Sequence, residues 1–547
     1  MLAPTAPFTG ELGVCESGAV RDVLSGNFIL PHFTPGPMVH VPPLYWWTAA
    51  LCVRAFGWTE FALRLPALIA AALTCAVIYE WTGATIGRRA GLWAVAALCL
   101  CHFFLDAARQ PRMDSMLMLF VTAAAVSLQR AVSIEKSGAD SPLPRLAWLA
   151  IAAAAIGLGA LSKGALGIVL PGAAVALYLV ATSRWRELFG LRLITTFAIG
   201  LGIGLSWYVA AYQEGGQKFL QWQIGMNLWS RFVPARAGGA AYCVHPFWYF
   251  APKIASGFMP WSFYLPAVAV AYWRRPASRL RDPILYAFWW FAAIFLFFSA
   301  SHGKCLVYIL PAFPPLAVLI GWIIDTVAES RADNPILARF FDVGSAATLI
   351  GAIIVAALAL AAGFFGAAPG LMSHLHSTDR RFLDLFTAMA AYRSIFLGMF
   401  AAAWVLGLIA ITSGLSRGSA ARQALGIAVV AVAGAWFWFG VMNPALAVRE
   451  TLEPFAHEVM KAVPEDASIG HIGVEDCDLY FYSPRPIEPV FDFRCGTPGV
   501  PSYIVMRKER YEAMRPAERV CLQPMLQSAS VDSHGPRLLM KQTRTMR

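Results

Sequence analysis

The stretch ARQPRMDSMLM places Arg109, Arg112 and Asp114 immediately before an apolar run. LSKGALG sets Lys163 between two apolar segments. NLWSRF carries Arg231, CVHPFWYF carries His245, and SHGKCLVYILP carries His302, Lys304 and Tyr308. Two further carboxylates, Glu11 and Glu16, lie near the N-terminus. Cations outnumber acids in this set. Arginine forks and lysine point charges neutralise phosphate oxygens, while a carboxylate can orient a hydroxyl and take its proton. The chemistry suggested is recognition of a phosphate-bearing substrate whose tail stays in lipid.

The elements that must position these residues are membrane spans. The chain has 547 residues, 58% hydrophobic and 14% charged, with a mean hydropathy of +0.58. A soluble domain is close to half apolar and a quarter charged. Twelve apolar stretches approach the length of about 20 residues that a bilayer requires: 61–82, 91–107, 114–132, 147–160, 165–182, 192–212, 257–273, 285–300, 305–325, 345–366, 395–413 and 424–443. Pro171 and the Ser162-Lys163-Gly164 break separate the fourth from the fifth. The 19 tryptophans suit aromatic belts at both interfaces. The net charge of +11 lies largely in short loops, where it orients the protein and gives no nucleic-acid signal.

Basic loops at 88–89, 130–145, 184–192, 274–281, 331–339 and 417–422 alternate with the others and are expected on the cytoplasmic side. The loops bearing the singled-out residues then share the outer face. This places the N-terminus outside with no signal peptide or span before residue 60; the simplest expectation is a further helix upstream. Residues 444–547 read differently. RETLEPFAHEVMKAV has helical periodicity, ASIGHIG and SYIVMRK read as strands, and DLYFYSPRP lies between them. The fold expected is an all-α polytopic membrane protein with about twelve spans (residues 61–443), a first extracytoplasmic loop (1–60) and a small C-terminal α/β extracytoplasmic domain (444–547). Among the ten cysteines there is no CxxC; Cys477, Cys495 and Cys521 in the tail allow one disulfide.

Each singled-out residue also has a plainer account. Arg109 and Arg112 suit headgroup contacts at helix ends. Asp114 suits a helix N-terminus, Tyr308 an interfacial aromatic, and His245 an ordinary interface position. Lys163 fits such an account least, because its neighbours are apolar for many residues each way.

In order and spacing, RDVLSGNFILPHF, PPLYWWTAALCVRAFG, EFALRLPALIAA, GRRAGLWA, RMDSMLMLF, LSKGALGIVLPG, LSWYVAA, NLWSRF, PFWYFAPKIASGFMPWS and FFSASHGKCLVYILPAFPPLA resemble the lipid-linked-sugar glycosyltransferases of the C superfamily. The resemblance is strongest to the 4-amino-4-deoxy-L-arabinose lipid A transferases and the protein mannosyltransferases. It runs from about residue 10 to residue 320. It implies transfer of a sugar from a polyprenyl-phosphate donor to a lipid A-like, glycolipid or protein acceptor, at the outer face of the cytoplasmic membrane. It further implies no nucleic-acid partner and no required cofactor.

The resemblance also distributes roles. The family's catalytic aspartate, aligned back from Ser25-Gly26, falls on Glu11, with Glu16 the competing choice; Asp114 matches a second acid. Arg109, Arg112, Lys163, Arg231, His245, Lys304 and Tyr308 would bind substrate, with Lys163, Arg231 and Lys304 stabilising the leaving phosphate. The outcome would be a single inverting displacement. In HVPPLYWW, Pro42 and Pro43 fix an extended approach to the next helix, but Val41 stands where the family usually has a phosphate-binding lysine. His40 replaces an acid near a divalent-ion position and His245 matches another, which makes them the candidate metal ligands, although two ligands do not make a site. A lipid flippase or a non-catalytic envelope-assembly partner would also use a cationic outer cavity.

Overall fold

The computed structural model describes residues 17–31, 41–137, 143–221, 223, 245–274, 282–366, 394–444, 447, 451–473, 477–485, 487–490, 493, 500–529 and 535–543. Glu11, Glu16, His40 and Arg231 lie outside them. The chain divides into two compact units. One comprises 67–109 and 113–441; the other comprises 2–66, 110–112 and 442–547.

The first unit is helical. Among the described residues, nine helices are long and apolar enough to cross a membrane, or up to eleven if two bent pairs each count as one span. The differences from the twelve expected stretches are local. The stretch at 91–107 is a pair, Arg88–Cys99 and His102–Arg109, bent by 65°. The one at 257–273 becomes Phe247–Gly257 and Trp261–Arg274, bent by 109°, where Pro260 interrupts the backbone ladder. The two segments flanking Lys163 are separate helices, Arg145–Lys163 and Leu166–Ala181, the second too short to count as a full span. The 305–325 stretch starts as a 3-10 turn, Leu306–Ala312, before the Phe313–Glu329 helix.

Leucine, phenylalanine and alanine side chains form a continuous core across this unit, with Trp81, Tyr178, Tyr286 and Trp290 fully buried at its centre. Lipid is as apolar as such a core, so packing and polar clamps must select the helix pairing. Trp81 Nε1 donates to Gln129 Oε1 at 2.9 Å and Arg130 Nη2 to Glu80 Oε2 at 2.9 Å. Both bonds join the Glu60–Thr85 helix to the Asp114–Ser137 helix.

The second unit contains helices Ser17–Leu24 and Leu44–Phe56 and a five-stranded sheet. Its strands are β1 (Ile469–Ile472), β2 (Ile487–Pro489), β3 (Tyr503–Arg507), β4 (Leu522–Gln527) and β5 (Arg537–Gln542), in the order β2-β1-β3-β5-β4. β1 pairs in parallel with β2 and β3; β5 is antiparallel to β3 and β4. The expected helix is Glu453–Ala462, and β1 and β3 lie where ASIGHIG and SYIVMRK place them. Tyr503 and Val505 enter one apolar cluster with Phe455 and Val459 of that helix, whereas Ile504 and Met506 enter another on the opposite face. A strand covered on both sides reads as an unbroken apolar run.

DLYFYSPRP contributes a short helix, Cys477–Tyr482, that grips the N-terminal part of the unit. Arg21 Nη2 donates to Ser483 O at 3.0 Å and Trp58 Nε1 to Phe481 O at 3.0 Å. Tyr482 Oη donates to Glu60 Oε1 at 3.0 Å. Trp58 stacks on Phe481 at 5.3 Å and receives the Arg21 guanidinium on its ring at 4.6 Å. Pro43 does not hold an extended approach: at φ −89°, ψ 2° it forms the turn that starts the Leu44–Phe56 helix.

Candidate functional site

Helices Asp114–Ser137 and Arg145–Lys163 are consecutive and antiparallel, so the N-terminus of one meets the C-terminus of the other. An acid is favoured at a helix N-terminus and a cation at a C-terminus. Asp114 and Lys163 occupy those two positions, and Lys163 Nζ donates to Asp114 Oδ1 in an ion pair. Both side chains are nearly buried, at 7% exposure for Asp114 and 11% for Lys163. Such a pair is costly to desolvate and more costly to leave half-made. The helix then stops because Gly164 takes φ +65°, a conformation that side-chain-bearing residues rarely adopt.

Tyr308 presents its ring to the same lysine, with Lys163 Nζ 5.0 Å from the ring centroid. It is therefore part of this site and not simply an interfacial aromatic. Lys304 lies four residues earlier, outside the spans. It is buried and donates to His245 O at 3.0 Å and to Ser301 O. Burial pulls its pKa below the ordinary lysine value. Two of its three N–H groups thus tie the segment before the Leu306–Ala312 turn to the one at His245. An aromatic path joins the two lysines: Tyr308 meets Phe298 at 5.8 Å, Phe298 meets Phe250 at 6.2 Å, Phe250 meets Tyr249 at 5.1 Å, and Tyr249 stacks on His245 at 4.0 Å.

The buried Arg109 guanidinium lies 4.5 Å above the Phe439 ring, which also stacks on His102. Arg112 donates to Gln110 at 3.4 Å. Asp114, Lys163 and Tyr308 therefore form one cluster, Lys304 and His245 an adjoining one, and Arg109 a third environment. His245 is described, but its proposed companion His40 is not. Among the described residues no three His, Cys, Asp or Glu side chains are grouped to hold a metal ion.

Reasoning from residue types missed Tyr208. The Leu191–Gln221 helix runs parallel to Arg145–Lys163 in tight register. Gly200 abuts Ile156, Gly204 abuts Ala160, and Tyr208 reaches Gly164, where an added Cβ would come 2.9 Å from the phenol oxygen. The signal in the sequence is the four-residue spacing of Gly200, Gly204 and Tyr208, a small-residue face that lets helices approach closely.

A family model described as dolichyl-phosphate-mannose-protein mannosyltransferase matches residues 40–208. The undecaprenyl phosphate-alpha-4-amino-4-deoxy-L-arabinose arabinosyl transferase 2 of Sodalis glossinidius is 30% identical over 304 residues, 55% of this chain and 53% of that protein. The corresponding transferase of Pseudomonas aeruginosa is 28% identical over 347 residues, 62% of this chain and 58% of that protein. The chain thus spans a little over half the length of these curated relatives. The crystal structure of ArnT from Cupriavidus metallidurans bound to undecaprenyl phosphate matches with a TM-score of 0.75 at 20% identity, covering 98% of this chain and 94% of that one. The chain thus resembles the C-superfamily glycosyltransferases: the undecaprenyl phosphate-aminoarabinose arabinosyl transferases in sequence over a little over half its length, the dolichyl-phosphate-mannose-protein mannosyltransferases over residues 40–208, and ArnT in fold over nearly all of it.

Proposed function

We propose that the chain is an integral-membrane glycosyltransferase. It moves a sugar from an undecaprenyl-phosphate donor to a lipid A-like or other glycolipid acceptor, or to a protein hydroxyl, at the periplasmic face of the inner membrane. The observation that carries this reading is the buried Asp114–Lys163 pair under the Tyr308 ring at a break between spans. An ammonium held there is placed to meet a phosphate whose prenyl tail stays in lipid. The names of the sequence relatives supply the donor class; the lipid A-like acceptor comes from the family resemblance. The outward orientation draws on the basic loops and on the disulfide-bonded Cys521 of the C-terminal region, since disulfides persist in oxidising compartments.

In this mechanism the leaving group is the lipid phosphate, and the cations offset the charge that develops on it. A phosphate oxygen must share Lys163 with Asp114, so Asp114 sets how much of the ammonium's charge the phosphate feels. A carboxylate takes the proton of the acceptor oxygen as that oxygen attacks the anomeric carbon from the face opposite the phosphate. Glu11 fills this role, with Glu16 as the alternative. The product is inverted at the anomeric carbon.

The test is transfer in liposomes, with labelled undecaprenyl-phosphate sugars and envelope lipids as acceptors, comparing the native chain with Glu11→Gln. Transfer by the native chain and none by the variant supports both the activity and the base. Donor binding without transfer in the native chain would instead favour a lipid flippase or an assembly partner.

A further inference from the structure

We propose that Tyr208 is a phosphate-binding residue of the Lys163 site, and that Gly164 is side-chain-free so that the phenol can reach it. The inference rests on the functional reading above. About two turns of helix-on-helix register bring Tyr208 to this place. Gly200 on Ile156 and Gly204 on Ala160 fix the spacing, and the next step sets the phenol oxygen against the backbone of the residue after Lys163. Trp207 at 4.8 Å and Phe219 at 6.4 Å, both edges or tilted faces, hold the ring. Tyr208 is half-buried, and its hydroxyl makes no hydrogen bond among the described residues. It is an O–H donor against the backbone of Gly164, the residue that follows the lysine engaged by Asp114.

That combination suits a phosphate. The Asp114–Lys163 pair is close to neutral, so it offers the lipid phosphate, a singly charged diester in the donor and a dianion once it leaves, less charge than a lone ammonium would. A neutral phenol adds a donor without adding a buried charge, and a hydrogen bond to a charged partner is stronger than one between neutral groups. Gly164 serves two needs. Its φ of +65° ends the helix at Lys163, and its missing Cβ leaves the phenol its position.

The experiment uses the full chain in nanodiscs. Binding of undecaprenyl phosphate is measured for the native protein, Tyr208→Phe and Gly164→Ala, with undecaprenol and phosphatidylglycerol as comparison lipids. Tyr208→Phe keeps the ring packing and is expected to keep the native melting temperature. It should weaken undecaprenyl phosphate binding on the order of tenfold or more and leave undecaprenol unchanged. Gly164→Ala should weaken phosphate binding in the same direction. Equal undecaprenyl phosphate affinity in the native protein and Tyr208→Phe overturns the proposal while leaving the functional reading intact. An equal loss for phosphatidylglycerol also overturns it, because the hydroxyl would then be a general headgroup anchor. Failure of the native chain to bind undecaprenyl phosphate at all would sink the functional reading first.

Discussion

Lys163 and Asp114, 49 positions apart, form a buried ion pair at the meeting of one helix C-terminus with another helix N-terminus. The pair joins two residues that the sequence presents as separate candidates, one for binding and one for catalysis. Each partner is the condition for burying the other.

Removing one charge should therefore cost more than removing both. Lys163→Met or Asp114→Asn alone is expected to destabilise the protein by about 3–5 kcal/mol, because an uncompensated charge stays buried. The double variant should recover much of that loss. Thermal unfolding in detergent for the four proteins of the cycle measures it; additive losses would show that the pair is not coupled. Transfer should be abolished in all three variants.

Glu11→Gln is expected to lower transfer by at least two orders of magnitude, the scale of a lost general base, with undecaprenyl phosphate binding unchanged. If transfer survives there and falls in Glu16→Gln, the base is Glu16. A radiolabel assay paired with a binding measurement separates the two cases.

Lys304 gives a pH signature. Burial lowers its folded-state pKa below the ordinary 10.5. As pH rises, the folded protein releases this proton before the unfolded chain does. Across that window the unfolded state holds more protons, so the Lys304 contribution to stability rises with pH. Below the folded pKa both states are charged, and the burial penalty is at its full size. The difference in melting temperature between the native protein and Lys304→Met should therefore change with pH in the alkaline range below 10.5, moving in favour of the native protein as pH rises. A difference that stays flat from neutral pH to 10.5 would show that the ammonium is not desolvated.

In the second unit, Trp58→Ala should loosen the attachment of the Cys477–Tyr482 helix. The variant loses one hydrogen bond of about 1 kcal/mol, one aromatic stack of about 1 kcal/mol and one cation–π contact of about 0.5–1 kcal/mol. A total near 2–3 kcal/mol should appear as faster proteolysis within residues 442–547 of the intact protein. Trp58→Phe keeps a ring but loses the N–H, so its cleavage rate should fall between the two.

The amino-acid order by itself determines the solvent, most of the helices and which residues are unusual. Runs of apolar residues interrupted by short basic loops leave little alternative to a helical bundle in lipid, because each backbone polar group must be satisfied within its own helix. The unbroken apolar run in SYIVMRK and the periodicity of RETLEPFAHEVMKAV likewise mark elements of the tail. Lys163 stood out because a lone ammonium in an apolar region needs a partner.

Only the tertiary structure decides which partner. Lys163 could have met any carboxylate at its depth; the antiparallel turn between two helices selects Asp114. Lys304 resembles a phosphate ligand in the sequence, but the fold spends two of its N–H groups on His245 and Ser301 carbonyls. Arg109, adjacent to the site in sequence, is instead drawn over Phe439. The bends after Cys99 and Gly257 were not legible either, since a broken pair and a straight span have the same apolar composition. Tyr208 was hidden for a related reason. Its place beside Lys163 depends on the register between two helices, and register is set by the summed fit of Gly200, Gly204 and their partners, which no single segment encodes.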